Sequence, residues 1–147
     1  MAMNCLVDTN VFLEILLGQP NKEKCKQFLR NNSGFCALSD FSLHSIGVIT
    51  FRSRRTSTYR IFIQDTLPGV ALLHLDNHGY ASVLEAHEGF GLDFDDAYQF
   101  ALAQAHGLTL VTQDHDFERV KGGCSSPFLV GVHPRSGRCK NGLLRFE

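Results

Sequence analysis

Asn4-Cys5-Leu6-Val7-Asp8-Thr9-Asn10-Val11-Phe12-Leu13-Glu14 contains a three-residue apolar run closed by a carboxylate and followed at once by a helical pattern. Cys5-Leu6-Val7 has no polar alternation, so it reads as a strand covered on both faces. Thr9 or Asn10 is placed to cap a helix through Val11–Leu17, which Gly18 and Pro20 stop. The same unit recurs along the chain. Further short apolar runs occur at Phe35–Leu38, Val70–Leu75, Thr109–Thr112 and Pro127–Val132. Helical stretches lie between them: Asn21 to Arg30; a segment capped by Ser39 carrying Phe41, Leu43, Ile46, Val48 and Ile49; and one ending near Leu67-Pro68-Gly69. Another starts at Asn77 and is broken by Gly89 and Gly91, and an Ala-rich one is opened by Asp95 and Asp96 and closed by Gly107. Continuous apolar strands alternating with helices predict an α/β fold. The expected architecture is a three-layer α/β/α sandwich around a mostly parallel sheet of about five strands.

The bulk properties agree with one domain. The chain has 147 residues, 44% of them hydrophobic and 20% charged, enough to bury a core. We place that domain at residues 1–134. The segment 135–147, with glycines and arginines and no clear period, reads as an irregular C-terminal tail. No apolar run approaches the roughly 20 residues that span a bilayer, and no signal-like segment is present near Met1; the expectation is a cytoplasmic protein without a membrane partner. The five cysteines form no CxxC pair, which speaks against a disulfide framework or a structural zinc site. Net charge is −1, so any nucleic-acid footprint must be local. Arg52, Arg54, Arg55 and Arg60 are the candidate patch; a solvated helix face is an equally good reading of them.

Ligands of open α/β sheets bind beyond the carboxyl ends of strands. Asp8 closes the first predicted strand, Asp114 lies just past the fourth, and Asp93, Asp95 and Asp96 open the helix that feeds the fourth. Carboxylates held together either take up a proton or bind a cation. Oxygen donors without a cysteine or histidine set suit Mg²⁺ or Mn²⁺, and such a centre can activate water against a phosphodiester. Each acid alone also has a local explanation, as a turn former or helix cap. The functional reading rests on all three places occurring in an order that fits one sheet edge.

Three motifs resemble those of the PIN-domain family. Leu6-Val7-Asp8-Thr9-Asn10 is similar to its opening strand and first acid. Phe94-Asp95-Asp96-Ala97 with Ala101-Leu102-Ala103 is similar to its late acidic helix, and Leu110-Val111-Thr112-Gln113-Asp114-His115-Asp116-Phe117 to its closing strand and turn. The resemblance implies a metal-dependent endoribonuclease, in many cases the toxin of a toxin–antitoxin pair. RNA is then the substrate, an antitoxin the partner, and a homodimer the assembly. It implies that Asp8, Asp96 and Asp114 are the metal-binding and catalytic acids, with Asp116 a fourth metal candidate. Asn10 and Thr112 would orient them, and Arg52, Arg54 and Arg55 would contact substrate phosphates.

One position departs from the family pattern. Where a glutamate is expected on the helix after the second strand, Ser39-Asp40-Phe41-Ser42-Leu43-His44-Ser45 places Ser45, with His44 the second candidate. A serine brings no charge to a metal site. The alternative is therefore a PIN-like domain that binds RNA or a protein without cutting it. Asp40, five residues earlier, is on another helical face, and Glu14 reads as a solvated helix residue. A phosphatase that needs a second aspartate two residues after Asp8 is disfavoured by Asn10, and no phosphate-binding glycine loop occurs.

Overall fold

The computed structural model describes residues 3–114, 117, 123–125 and 130–132. Six strands form one sheet: β1 (Cys5–Val7), β2 (Cys36–Ser39), β3 (Ala71–Leu73), β4 (Thr109–Thr112), β5 (Gly123–Ser125) and β6 (Val130–Val132), in the order β3-β2-β1-β4-β6-β5. β3, β2, β1 and β4 are parallel to their neighbours. β6 joins β4 antiparallel and β5 joins β6 antiparallel. The mostly parallel sheet expected from the sequence is present, with six strands among the described residues instead of about five. The extra strand is Gly-Cys-Ser, which offers no apolar run to read. Of the run Pro127–Val132, the described part is the antiparallel β6. The tail 135–147 lies outside the described residues.

The helices are α1 (Thr9–Leu16), α2 (Lys22–Asn31), α3 (Asp40–Arg52), α4 (Thr56–Ile61), α5 (Tyr80–Phe90) and α6 (Phe94–His106). A π turn, Phe62–Thr66, and a 3₁₀ turn, Leu67–Gly69, carry α4 on toward β3. Successive strand residues point to opposite faces, and the core divides accordingly. Leu6, Ala37 and Leu110 pack with Val83 and Ala86 of α5 and with Ala97, Ala101 and Leu102 of α6. Cys5, Val7, Leu38 and Val111 pack with Val11 and Phe12 of α1, Cys25 and Phe28 of α2, Ile46 of α3, and Phe62. The sheet is thus covered on both sides, which explains its unbroken apolar runs.

Local signals set the element ends. Ser39 caps α3 by accepting from Ser42 N at 2.9 Å. α1 is capped not by Thr9 or Asn10 but by Asp8, whose Oδ1 accepts from Thr9 N at 2.8 Å. α6 combines alanines of high helix propensity with Asp95 and Asp96 in its first turn. It stops at Gly107, whose φ of 65° lets Leu108 N return to Ala103 O at 2.8 Å.

The chain leaves β1 toward β2 and β3, then crosses back to place β4 on the other side of β1. The strand order therefore reverses between β1 and β4, and a crevice opens at their carboxyl ends.

Candidate active site

Asp8 is the first residue past β1. Its backbone N–H donates to Val111 O of β4 at 2.8 Å, which fixes it at the crevice. Its carboxylate is 7% exposed and accepts three hydrogen bonds. Oδ1 takes Thr9 N at 2.8 Å and Gln99 Nε2 at 3.2 Å, and Oδ2 takes Thr112 Oγ1 at 2.7 Å. Burial nevertheless pushes its pKa above the ordinary carboxylate value. The three hydrogen bonds act in the opposite direction and the nearby Asp95 charge adds to the rise.

Thr112 and Asn10 are both hydrogen-bonded into this group. Thr112 Oγ1 accepts from Asn10 Nδ2 at 3.0 Å and from Asp114 N at 2.9 Å. Asn10 Oδ1 accepts from Gln113 N at 3.0 Å. The start of α1 and the end of β4 are thereby clamped together around Asp8. Glu14, read from the sequence as solvated, is instead buried: its carboxylate accepts from Asn21 N at 2.7 Å and Gln113 Nε2 at 3.2 Å. The clamp thus extends through α1 to the start of α2, because Glu14 is one turn beyond Asn10 on the same helical face.

Asp96, on the first turn of α6, is half-buried. Its pKa is pushed up to about 7 by burial and then by the charges of Asp95, Asp8, Asp114 and Asp93. Asp114 is half-buried beyond β4. The three sequence-predicted acids are therefore close enough to feel one another. Yet among the described residues no three His, Cys, Asp or Glu side chains converge as ligands of one ion. Asp116 lies outside the described residues. Asp93 precedes α6 without making a side-chain cap bond, so capping does not account for it.

Two residues of the site went unread in the sequence. Gln99 is 1% exposed and its Nε2 spans Asp8 Oδ1 and Ser42 Oγ, the latter at 2.5 Å. It stands three residues after Asp96, the spacing that shares a helix face. Ser42 Oγ also accepts from Thr9 Oγ1 at 2.8 Å and from Ser39 Oγ at 3.1 Å. So α3 meets the acids through Ser42. Ser45, one turn later, is half-buried along a groove with Phe41, His44, Val48 and Ile49. Arg52, Arg54 and Arg55 are exposed at the opposite end of α3. Arg52 is ten residues past Ser42, about 15 Å along the axis.

An oxygen-only donor set and a partly buried carboxyl raised to about 7 by like charges fit a hard divalent cation, which would relieve that repulsion. Gln99 Oε1, buried and without a hydrogen-bond partner among the described residues, adds an unused acceptor to the same wall.

The PIN domain family matches residues 5–123. The chain belongs to that family. A search of curated protein sequences finds no match. Among solved structures, this PIN domain is similar to one in a toxin–antitoxin complex from Klebsiella pneumoniae, with a TM-score of 0.67 and 21% identity over 80% of this chain and 92% of that one. It is similar to a chain of FitAcB from Neisseria gonorrhoeae, with a TM-score of 0.62 and 23% identity over 78% and 91%. It also resembles VapC20 of Mycobacterium tuberculosis, a toxin that cleaves the sarcin-ricin loop, with a TM-score of 0.61 and 19% identity over 78% and 93%. At these identities the likeness establishes the fold. No helix among the described residues is long and apolar enough to cross a membrane.

Proposed function

We propose that this PIN domain is a divalent-metal-dependent endoribonuclease acting in the cytoplasm as the toxin of a toxin–antitoxin pair. The observation that carries the reading is the crevice between β1 and β4. There Asp8 is held by three hydrogen bonds and Asp96 is raised to about 7 by the charges around it. Asp8, Asp96 and Asp114, with Asp116, would hold Mg²⁺ or Mn²⁺. Such an ion would supply Lewis acidity toward a phosphodiester and would lower the pKa of a water. The chain's own groups do the positioning. Thr112, Gln99 and Thr9 N fix both Asp8 oxygens, Asn10 fixes Thr112, and Ser42 ties α3 to Gln99. Arg52, Arg54 and Arg55 would hold phosphates several nucleotides away from the cut. The exposed Phe51, Ile61, Leu84 and Phe94 offer apolar surface to an antitoxin and to a second copy in a homodimer. Toxin–antitoxin assemblies among the similar structures support that partner.

A second reading has its own support. Ser45 occupies the position of an expected acid, and no three-ligand group is present among the described residues. Both favour a domain that binds RNA or a protein without cutting.

One experiment separates them. Purified protein is incubated with structured and single-stranded RNA plus Mn²⁺, Mg²⁺ or EDTA, beside an Asp8→Asn/Asp96→Asn variant. The nuclease reading expects cleavage that requires metal and disappears in the variant. Equal inertness of both proteins, with no heat of Mn²⁺ binding by calorimetry, would leave the non-cleaving reading.

A further inference from the structure

Away from the acidic crevice, two cysteines on neighbouring strands face each other. Cys5 of β1 and Cys36 of β2 are register partners in the parallel pair. Both are free thiols, and their Sγ atoms are 3.3 Å apart. Each belongs to the core layer with Val7, Phe28 and Leu38, so either one alone would read as a small buried hydrophobe. The pair differs from Cys25, the third buried cysteine of that layer. Its sulfurs are already in contact. Adjacent strands about 4.8 Å apart also put the two α-carbons inside the roughly 4.4–6.8 Å range that a disulfide spans.

The two thiols are not equivalent. Cys36 lines a groove of about 680 Å³ with Lys26, Arg30, Gly34, Asp65 and Val70, and it retains 5% exposure where Cys5 has none. Cys5 Sγ donates toward Cys36 Sγ. That hydrogen bond holds Cys36 below the ordinary thiol value, and the same partner, with burial, pushes Cys5 up. Burial acts the other way on Cys36, and thiolate character is what makes a thiol reactive.

We propose that Cys5 and Cys36 form a redox modification site, in which Cys36 reacts first with a hydroperoxide and Cys5 resolves the product as an intramolecular disulfide. With hydrogen peroxide, the Cys36 thiolate attacks one oxygen and the O–O bond breaks. Hydroxide leaves and, with a proton from solvent, becomes water; the oxygen now bonded to Cys36 keeps the hydrogen it carried in the peroxide, so the residue is a sulfenic acid. Cys5 Sγ then attacks the Cys36 sulfur and its proton passes to the departing hydroxide, which leaves as a second water. Two thiols lose two electrons and one peroxide gains them. Cys5 needs no solvent access for its step, because it already touches the atom it attacks. The link would pin β1 to β2 three residues before Asp8 and three before Ser39, below the two strand ends that carry the Thr9–Ser42–Ser39 contacts.

The test uses the full reduced chain, titrated with hydrogen peroxide, alkylated under denaturing conditions and digested with trypsin. The expected product joins Met1–Lys22 to Asn31–Arg52 with the loss of two hydrogens, and dithiothreitol reverses it. The Cys36 thiol should disappear on the order of tenfold faster than that of Cys25, which is buried without a sulfur partner at contact distance. In Cys5→Ser, dimedone should trap a sulfenic acid on Cys36. The proposal is overturned if both peptides are recovered as free thiols at peroxide doses that oxidise Cys124 or Cys139. It is equally overturned if Cys36 links to any cysteine other than Cys5. The wild-type map needs no variant to fold, and none of these readouts depends on the nuclease activity.

Discussion

Asp8 serves two purposes at once, and the conflict between them sets the chemistry of the crevice. As the cap of α1 and the partner of Thr112 it is a structural carboxylate; as a group 7% exposed, with Asp95 nearby, it is held as a weaker acid than an ordinary carboxyl. Asp96 shows the consequence most directly. Below about pH 4 it is protonated in folded and unfolded chains alike. From its ordinary value of 3.8 up to about 7 the folded chain keeps a proton that the unfolded chain releases. Its contribution to stability therefore falls as pH rises through that interval and stays unfavourable above it. Asp96→Asn removes the charge. It should stabilise the metal-free protein at pH 8 by about 1–2 kcal/mol, allowing for partial solvent screening, and by nothing below pH 4. Thermal unfolding at the two pH values checks this; an equal melting temperature at pH 8 would contradict it. Thr112→Val is expected to act oppositely, because it strips Asp8 Oδ2, Asn10 Nδ2 and Asp114 N of one shared partner. Urea unfolding should show a loss of about 2–3 kcal/mol, and less than about 1 for Thr112→Ser, which keeps the hydroxyl. Asp8 is legible in the sequence because it closes an apolar strand with a clear end; Asn10 and Thr112 are singled out only by the family resemblance. Gln99 and Ser42 were not. A glutamine inside an alanine-rich helix and a serine one turn into another look like ordinary polar positions until the helices are packed. Glu14 was misread for the same reason: its partners, Asn21 and Gln113, are contributed by other elements.

At the scale of elements, helix ends were read better than helix faces. Gly91 and Gly107 take φ of 68° and 65°, so the glycines seen as stops for α5 and α6 are the residues that a left-handed terminus needs. Short apolar strands were likewise readable, since burial on both faces leaves no alternation. The antiparallel β5 was not, because its three residues carry no hydrophobic signal and its place depends on β6. α3 illustrates a face that only packing reveals. Its Gly47 lies against Tyr59 of α4: an added Cβ there would stand 3.6 Å from the ring, an ordinary contact distance. Tyr59 is further held edge-on by Phe51, with ring centres 5.4 Å apart. Glycine thus costs α3 backbone entropy that the close approach does not require. Gly47→Ala should raise stability by about 0.5–1 kcal/mol, read as a higher melting temperature without a change in the site. A bulkier Gly47→Leu should reverse the gain by displacing Tyr59, and a destabilised alanine variant would show that the α3–α4 contact is tighter than this distance indicates.

For the whole molecule, topology and charge are arranged at opposite ends. The order β3-β2-β1-β4 puts the strand-order reversal, and with it Asp8 and Asp114, at one sheet edge. α3 starts there at Ser39 and carries the chain away, so that its thirteen residues end with the exposed arginines at the far end. A net charge of −1 provides no general attraction for a polyanion, and the acidic crevice repels one. On the proposed function, affinity for a long RNA must then come from local cations, and Arg52, Arg54 and Arg55 are grouped within four residues. About 15 Å separates Arg52 from Ser42 along the helix, so a strand reaching both ends would span several nucleotides. The joint Arg52→Ala/Arg54→Ala/Arg55→Ala variant should weaken binding of a long single-stranded RNA to an Asp8→Asn background. It should also flatten the plot of log affinity against log salt by about 2, since each neutralised phosphate contributes roughly 0.7. A dinucleotide is too short to reach the arginines, and its cleavage by the same triple variant in the wild-type Asp8 background should be unchanged. Fluorescence anisotropy across a salt series and single-turnover cleavage of the short substrate read the two effects separately. An unchanged slope would return the arginines to a solvated helix end. Loss of short-substrate cleavage would mean that they act at the crevice itself, despite the length of α3.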